Sequence, residues 1–114
     1  MTLLQKSLIH WSDASSHLLW NPATPPTHLR ELQQTISAWS GHIWLATSGS
    51  LRLKWVGLTK KALLASAEAV NQHLQSTSQD NWLLPLPTFH VGGLGVEARA
   101  YLSGASLTYF PVPQ

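Results

Sequence analysis

The sequence predicts an α/β fold in which helices pack on a mixed, mainly parallel sheet. Short apolar runs, which are typical of buried strands, alternate with longer segments that repeat apolar residues every three or four positions. The predicted strands are 43–47, 53–58, 82–86 and 106–110, and the predicted helices are 27–39, 60–74 and about 92–103. Such an alternation favours parallel neighbours that are joined by right-handed crossovers.

Residues that favour helix ends bound the predicted helices. Thr24 or Thr27 is expected to cap the first helix, and Gly41 is expected to end it. Thr59 is expected to cap the second helix and Gly104 to end the third. The strands 43–47 and 53–58 have only a short loop between them, so we expect them to form a hairpin.

The third helix also has a predicted buried face. Its apolar residues Leu94, Ala98, Tyr101 and Leu102 are expected to point inward. Glu97 and Arg99 are expected to form a solvated or interdomain pair.

Residues 1–26 are predicted to be an N-terminal arm and linker, and residues 27–114 an incomplete α/β domain. Residues 3–11 could form a short amphipathic helix, whereas 21–26 should be a loop because proline disfavours helix in the preceding residue. Trp11 and Trp20 are expected to anchor this arm on a neighbouring surface, with a role as ligand platforms as the alternative.

The composition limits the classes of partner. Of the 114 residues, 11% are charged, which is less than half of the ~25% in a typical soluble domain. The surface is therefore either neutral and polar, or normally covered by the rest of a larger protein. The net charge of +2 comes from scattered basic residues, and there is no cysteine. We expect no nucleic-acid partner, no disulfide or thiolate metal site, no membrane span, and a cytoplasmic location.

Two stretches combine apolar runs with polar groups that suit ligand binding. The first run ends in Thr47, Ser48, Gly49 and Ser50, with Lys54 four residues later. Short hydroxyls and a glycine N–H can approach a phosphate chain closely, and a lysine adds a cation. Most such tetrapeptides are plain turns, which is the alternative reading. It is not a Walker loop, because that motif is absent from the chain.

The second stretch presents His90, Gly92 and Gly93 after Leu86-Pro87, at the predicted start of a helix. Helix N–H groups favour a carboxylate or a phosphate at this position. The alternative is that the histidine satisfies backbone carbonyls and that the glycines serve only the turn. No other histidine or carboxylate shows metal-ligand spacing, and no catalytic residue can be assigned with certainty.

Together these stretches resemble the adenylate-forming superfamily of acyl- and aryl-CoA synthetases. The family patterns T-S-G-[ST]-T-G-x-P-K and L-P-x-x-H-x-x-G correspond to 47–54 and 86–93, although the second Thr-Gly and the proline of the first pattern are absent. The resemblance implies that Thr47, Ser48, Gly49, Ser50 and Lys54 contact the ATP phosphates. It also implies that His90, Gly92 and Gly93 line the acyl-adenylate pocket.

Within that family the likeness is strongest to o-succinylbenzoate–CoA ligases of menaquinone and phylloquinone synthesis. It implies part of the large N-terminal domain, with a carboxylate, ATP, Mg²⁺ and CoA as ligands of the whole enzyme. These 114 residues alone are expected to be inactive, and to self-associate through surface that the rest of the domain would cover. The alternative is a stand-alone, non-catalytic α/β module that binds a partner or an anionic ligand.

Overall fold

A computed structural model describes residues 3–4, 9–23, 26–47, 54–84 and 86–109, and these contain six strands and three helices. In chain order the elements are β1 (Leu3–Leu4), β2 (His17–Leu19), α1 (Leu29–Ile36), β3 (His42–Thr47), β4 (Lys54–Thr59), α2 (Lys60–Leu74), β5 (Asn81–Leu84), α3 (Val91–Ser103) and β6 (Ser106–Tyr109). The predicted α/β class is confirmed, and each strand and helix predicted from residue 27 onward is present. Among the residues that the structure describes, no helix is both long and apolar enough to cross a bilayer.

The described strands form two mixed sheets of three strands each, rather than one sheet. In one sheet β6 lies between β1, which is antiparallel to it, and β5, which is parallel. In the other, β3 lies between the parallel β2 and the antiparallel β4. The β3–β4 hairpin and the parallel β5–α3–β6 unit are both as predicted.

Helices α2 and α3 end where the sequence predicts. The Thr59 hydroxyl accepts a 3.0 Å hydrogen bond from the Ala62 N–H, so it caps α2. Gly104 follows α3 with a φ of 73°, a left-handed conformation that glycine adopts without steric cost. The start of α2 and the end of α3 are therefore both set by the residues that the sequence indicates.

Helix α1 is shorter than predicted. It begins after His28, which has a φ of 58° and provides no side-chain cap, so the prediction of a threonine cap was wrong. It ends at Ile36, and the left-handed Gly41 lies in the turn before β3 instead of ending the helix. Trp39 is consequently outside the helix and 55% exposed.

The N-terminal residues take part in the core. Leu3–Leu4 is a strand rather than the predicted short helix, and β2 is a strand of the second sheet. Trp11 is 4% exposed and packs with Ile9, Ile43, Leu45, Ala67, Leu94 and Ala98. A second cluster, of Leu84, Ala100 and Leu107, lies between α3 and its strands. The two clusters place α3 between the sheets, where its N-terminus faces the β3–β4 hairpin.

Candidate functional site

The β3–β4 hairpin positions the predicted phosphate-binding residues. Thr47 ends β3 and Lys54 begins β4, and their Cα atoms are register partners. The Lys54 side chain is exposed. Ser48, Gly49 and Ser50 lie outside the described residues. The part of the predicted loop that the structure describes is therefore its base, where Thr47 and Lys54 are brought side by side.

The predicted acyl-site residues lie at the turn between β5 and α3. His90 is exposed and immediately precedes α3, with a φ of −99° and no side-chain cap to the helix. Its N–H donates to the Pro87 carbonyl at 3.1 Å, and its own carbonyl accepts from the Leu94 N–H at 3.0 Å. Both backbone polar groups of His90 are thus hydrogen-bonded, whereas its imidazole makes no capping hydrogen bond to α3.

Gly93 is required by the packing of this turn. A Cβ atom at Gly93 would overlap the Pro87 carbonyl oxygen and lie 2.9 Å from its carbonyl carbon, atoms that cannot move independently of the backbone. A Cβ at Gly92 would meet only the end of the flexible Leu86 side chain, at 3.2 Å. Gly93 therefore lets α3 approach its own preceding turn, which is the structural role considered as the alternative for the glycines.

One cavity connects the hairpin with His90. It has a volume of about 350 Å³ and is lined by Leu45, Ala46, Val56, Leu58, Phe89, His90 and Val91. Ala46 precedes Thr47 in β3, and Val56 lies two residues after Lys54 in β4. The walls are apolar apart from the His90 imidazole, so the cavity suits an apolar or aromatic group with one polar contact.

A larger cavity lies elsewhere. It has a volume of about 610 Å³ and is bounded by β2, α1 and the residues that follow α1, including Trp39. Trp20, for which a ligand platform was the alternative role, lines it, but none of the residues predicted to contact ATP or the acyl group does. We place the candidate site at the smaller cavity, because that one adjoins both predicted groups of residues.

Two buried ionisable residues were not predicted from the sequence. Lys60 is 4% exposed at the start of α2, and Glu97 is 1% exposed within α3. The expectation of a solvated Glu97 was wrong: burial raises the pKa of this carboxyl to about 7, partly offset by the Ile9 N–H that donates to it. Its register could have indicated burial, since it lies three residues after the core residue Leu94.

The end of the predicted buried face of α3 is partly exposed. Tyr101 and Leu102, expected to point inward, are 45% and 41% exposed.

A polar cluster surrounds the Lys60 ammonium. It donates to the carbonyls of His10 and Asp13, and it lies 3.3 Å from both the Asp13 carboxylate and the Ser15 hydroxyl. The Ser15 hydroxyl donates to that carboxylate and lowers the pKa of Asp13 to about 2. Burial lowers the pKa of His17, whose Nε2 accepts a 3.3 Å bond from the His10 N–H. The lone pair of Nε2 is thus already used, so this cluster has the form of a structural clamp and not of a nucleophile and base.

The described residues do not fit a Mg²⁺ site. They contain no group of three or more histidine, cysteine, aspartate or glutamate side chains that could hold a metal ion. Magnesium is held in proteins mainly by carboxylates and phosphate oxygens. We therefore assign no metal ligand and derive no metal-dependent step.

The fold of this chain is that of part of an AMP-forming acyl-CoA synthetase. An AMP-forming acyl-CoA synthetase/AMP-acid ligase II-like protein from Dyadobacter fermentans superposes on 79% of the chain, which spans 27% of that structure, with a TM-score of 0.58 and 21% identity. E. coli MenE with bound OSB-AMS superposes on 91% of the chain, which spans 37% of that structure, with a TM-score of 0.63 and 22% identity. At these identities the likeness concerns the fold.

A sequence relative makes the likeness more specific. The 2-succinylbenzoate–CoA ligase of Salmonella typhimurium is 44% identical over 63 residues, or 54% of this chain. The matched residues cover 14% of the length of that ligase. No established protein-family profile matches the chain. The resemblance to adenylate-forming ligases that was inferred from the sequence is confirmed.

Proposed function

We propose that this chain carries part of the ATP- and acyl-binding region of an acid–thiol ligase that acts through an acyl-adenylate. A carboxylate oxygen would attack the α-phosphorus of ATP, and pyrophosphate would leave. The CoA thiol would then attack the acyl carbonyl, and AMP would leave. In keeping with its relatives, the proposed carboxylate is o-succinylbenzoate, and the proposed context is menaquinone or phylloquinone synthesis in the cytoplasm.

One observation carries this proposal: the cavity that places His90 against the strands bearing Thr47 and Lys54. A volume of about 350 Å³ is at the lower end of the range for small-molecule sites. Its apolar walls suit the ring of an aryl acid, and the imidazole can donate to or accept from a carboxylate or ester oxygen. Thr47 and Lys54, at the base of the hairpin, would face the phosphates.

We further propose that these 114 residues do not complete the reaction alone, since the part that matches the ligase covers 14% of its length and the superposed part covers 37% of the MenE structure. Incubation with ATP, Mg²⁺, o-succinylbenzoate and CoA should release no AMP, whereas an ATP titration followed by NMR should shift the amide signals of Thr47 and Lys54. Lys54→Met should weaken that response, and Lys61→Met, an exposed lysine on α2, should not. AMP release would contradict the proposed inactivity. ATP-induced shifts confined to other regions would contradict the proposed site.

We also propose that the apolar surface around the cavity is covered in the whole ligase and self-associates in this chain. Val56 and Val91, which line the cavity, are 42% and 61% exposed, and Leu86, whose side chain lies beside Gly92, is 50% exposed. Isolated apolar residues are ordinary on a surface, but a patch of them beside a cavity is typical of an interface. Sedimentation should show concentration-dependent association that Val56→Thr with Val91→Ser reduces, while Leu74→Ser on α2 leaves it unchanged. A monomer at all concentrations would refute this proposal.

A further inference from the structure

Residues 9–15, which we call the docked segment, lie against α2 and α3 and are held by side chains as well as by backbone groups. Ile9 and Trp11 are 6% and 4% exposed, and both pack in the larger core cluster. The Trp11 ring stacks on Tyr101 of α3 with centroids 6.2 Å apart. Two side chains of this segment thus complete the core, although the segment itself has no helix or strand.

The backbone of the docked segment is gripped by one buried acid and one buried base. Glu97 on α3 accepts the Ile9 N–H, and Lys60 on α2 donates to the His10 carbonyl. Lys60 also reaches the Asp13 carbonyl at 3.2 Å. These contacts hold three separate peptide groups of the segment, whose residues 11–14 form turns and bends. Glu97 and Lys60 act independently, because each forms a hydrogen bond with a different peptide group.

Of these two side chains, the Glu97 carboxyl is the one whose charge is expected to depend on pH near neutrality. The Glu97 carboxyl is 1% exposed among core residues, and burial disfavours its charged form. Tyr109 on β6 is close enough to be affected by it: burial and then the Glu97 charge raise the pKa of Tyr109 to about 12. On α2 and the docked segment, Lys60 and Asp13 engage each other. Of these groups, Glu97 is the one expected to change charge near neutral pH.

We propose that the docked segment is a proton-controlled strap, which binds α2 and α3 tightly while Glu97 is protonated and is weakened when Glu97 ionises. Ionisation places a negative charge in the core, and undocking the segment lets water reach that charge. Lys60 continues to hold His10 and Asp13, so the proposed change begins at Ile9. The proposal does not depend on ATP or on any acyl substrate.

The raised pKa of Glu97 determines whether docking strengthens or weakens as the pH rises. A carboxyl whose pKa is about 7 when docked and 4.5 when exposed binds its proton more strongly in the docked state. Docking is therefore strongest below pH 4.5, weakens between pH 4.5 and about 7, and changes little at higher pH. Between pH values of about 5.5 and 8.5 the docking equilibrium constant should fall roughly 30-fold.

Hydrogen exchange of the Ile9 amide in the whole chain tests this proposal. Its protection, corrected for the intrinsic pH dependence of exchange, should fall roughly 30-fold across that range in the wild type. In Glu97→Gln, which keeps an acceptor but cannot ionise, this decline should be absent. Burial lowers the pKa of His17, which accepts the His10 N–H, so any contribution from His17 has the opposite sign and is common to both proteins. Glu68→Gln, at an exposed position on α2, should behave as the wild type. A parallel decline in wild type and Glu97→Gln, or no decline in the wild type, would overturn the proposal.

A second measurement applies if Glu97→Gln does not fold. The side-chain carboxyl ¹³C signals of the wild type can be assigned by means of Glu31→Gln and Glu68→Gln. The Glu97 signal should titrate near pH 7, with the same midpoint as the Ile9 amide shift. A midpoint near the ordinary value of 4.5 would overturn the proposal.

Discussion

Replacing Lys60 by methionine should lower the free energy of unfolding by about 3 kcal/mol. Methionine keeps most of the aliphatic stem, so the loss comes from the hydrogen bonds of the ammonium. Without it, the carbonyls of His10 and Asp13 lose a charged donor in a place where the lysine is 4% exposed. Urea unfolding at pH 7 measures the change. Hydrogen exchange should show that residues 10–13 lose protection first.

Lys61→Met is the matched control for that experiment. Lys61 is the next residue of α2 and its side chain is exposed, so its replacement should change stability by no more than about 0.5 kcal/mol. Equal losses in the two variants would show that Lys60 acts through general charge and not through its contacts with residues 10–15.

Gly93→Ala should destabilise the protein by roughly 3 kcal/mol, at the upper end of the usual cost of overpacking. The added methyl group would overlap the Pro87 carbonyl oxygen and lie 3.0 Å from the Leu86 carbonyl oxygen. To remove this overlap, the start of α3 must move away from the turn, and this movement also displaces His90. We therefore expect weaker binding of any ligand at the cavity as well as a lower midpoint in thermal unfolding.

Gly95→Ala provides the comparison within the same helix. A Cβ at Gly95 would lie 3.5 Å from an Arg99 guanidinium nitrogen, an ordinary contact with a flexible group. Alanine in a helix interior is favoured over glycine by roughly 0.5–1 kcal/mol, so this variant should be more stable than the wild type. If Gly93→Ala were as stable as Gly95→Ala, the close approach of α3 to Pro87 would not be the reason for the glycine.

The elements with strong local signals were predictable from the sequence. Helix α2 has the predicted bounds, because Thr59 caps it and its alanines favour helix. The hairpin and the β5–α3–β6 unit follow from apolar runs with turn residues between them. Helix α1 was predicted too long, since the periodicity continues to Trp39 although the chain turns after Ile36.

Contacts distant in sequence could not be predicted in this way. The partners of Lys60 lie 45 to 50 residues before it, so no local pattern indicates a buried lysine. Glu97 has a local indication, its position on the apolar face of α3, but a charged residue alone favours solvent. In the candidate site, the positions of Thr47, Lys54 and His90 could be predicted as strand and helix ends. The cavity that joins them depends on how α3 packs against the hairpin.

Titration with o-succinylbenzoate together with a non-hydrolysable ATP analogue tests the central claim most directly. The two ligands would occupy the acyl and phosphate portions of the proposed site. We predict that they shift the NMR signals of His90 together with those of Thr47 and Lys54, that His90→Ala weakens binding of the acid, and that Lys54→Met weakens binding of the ATP analogue. Signals that move at only one of the two places, or at neither, would contradict the account.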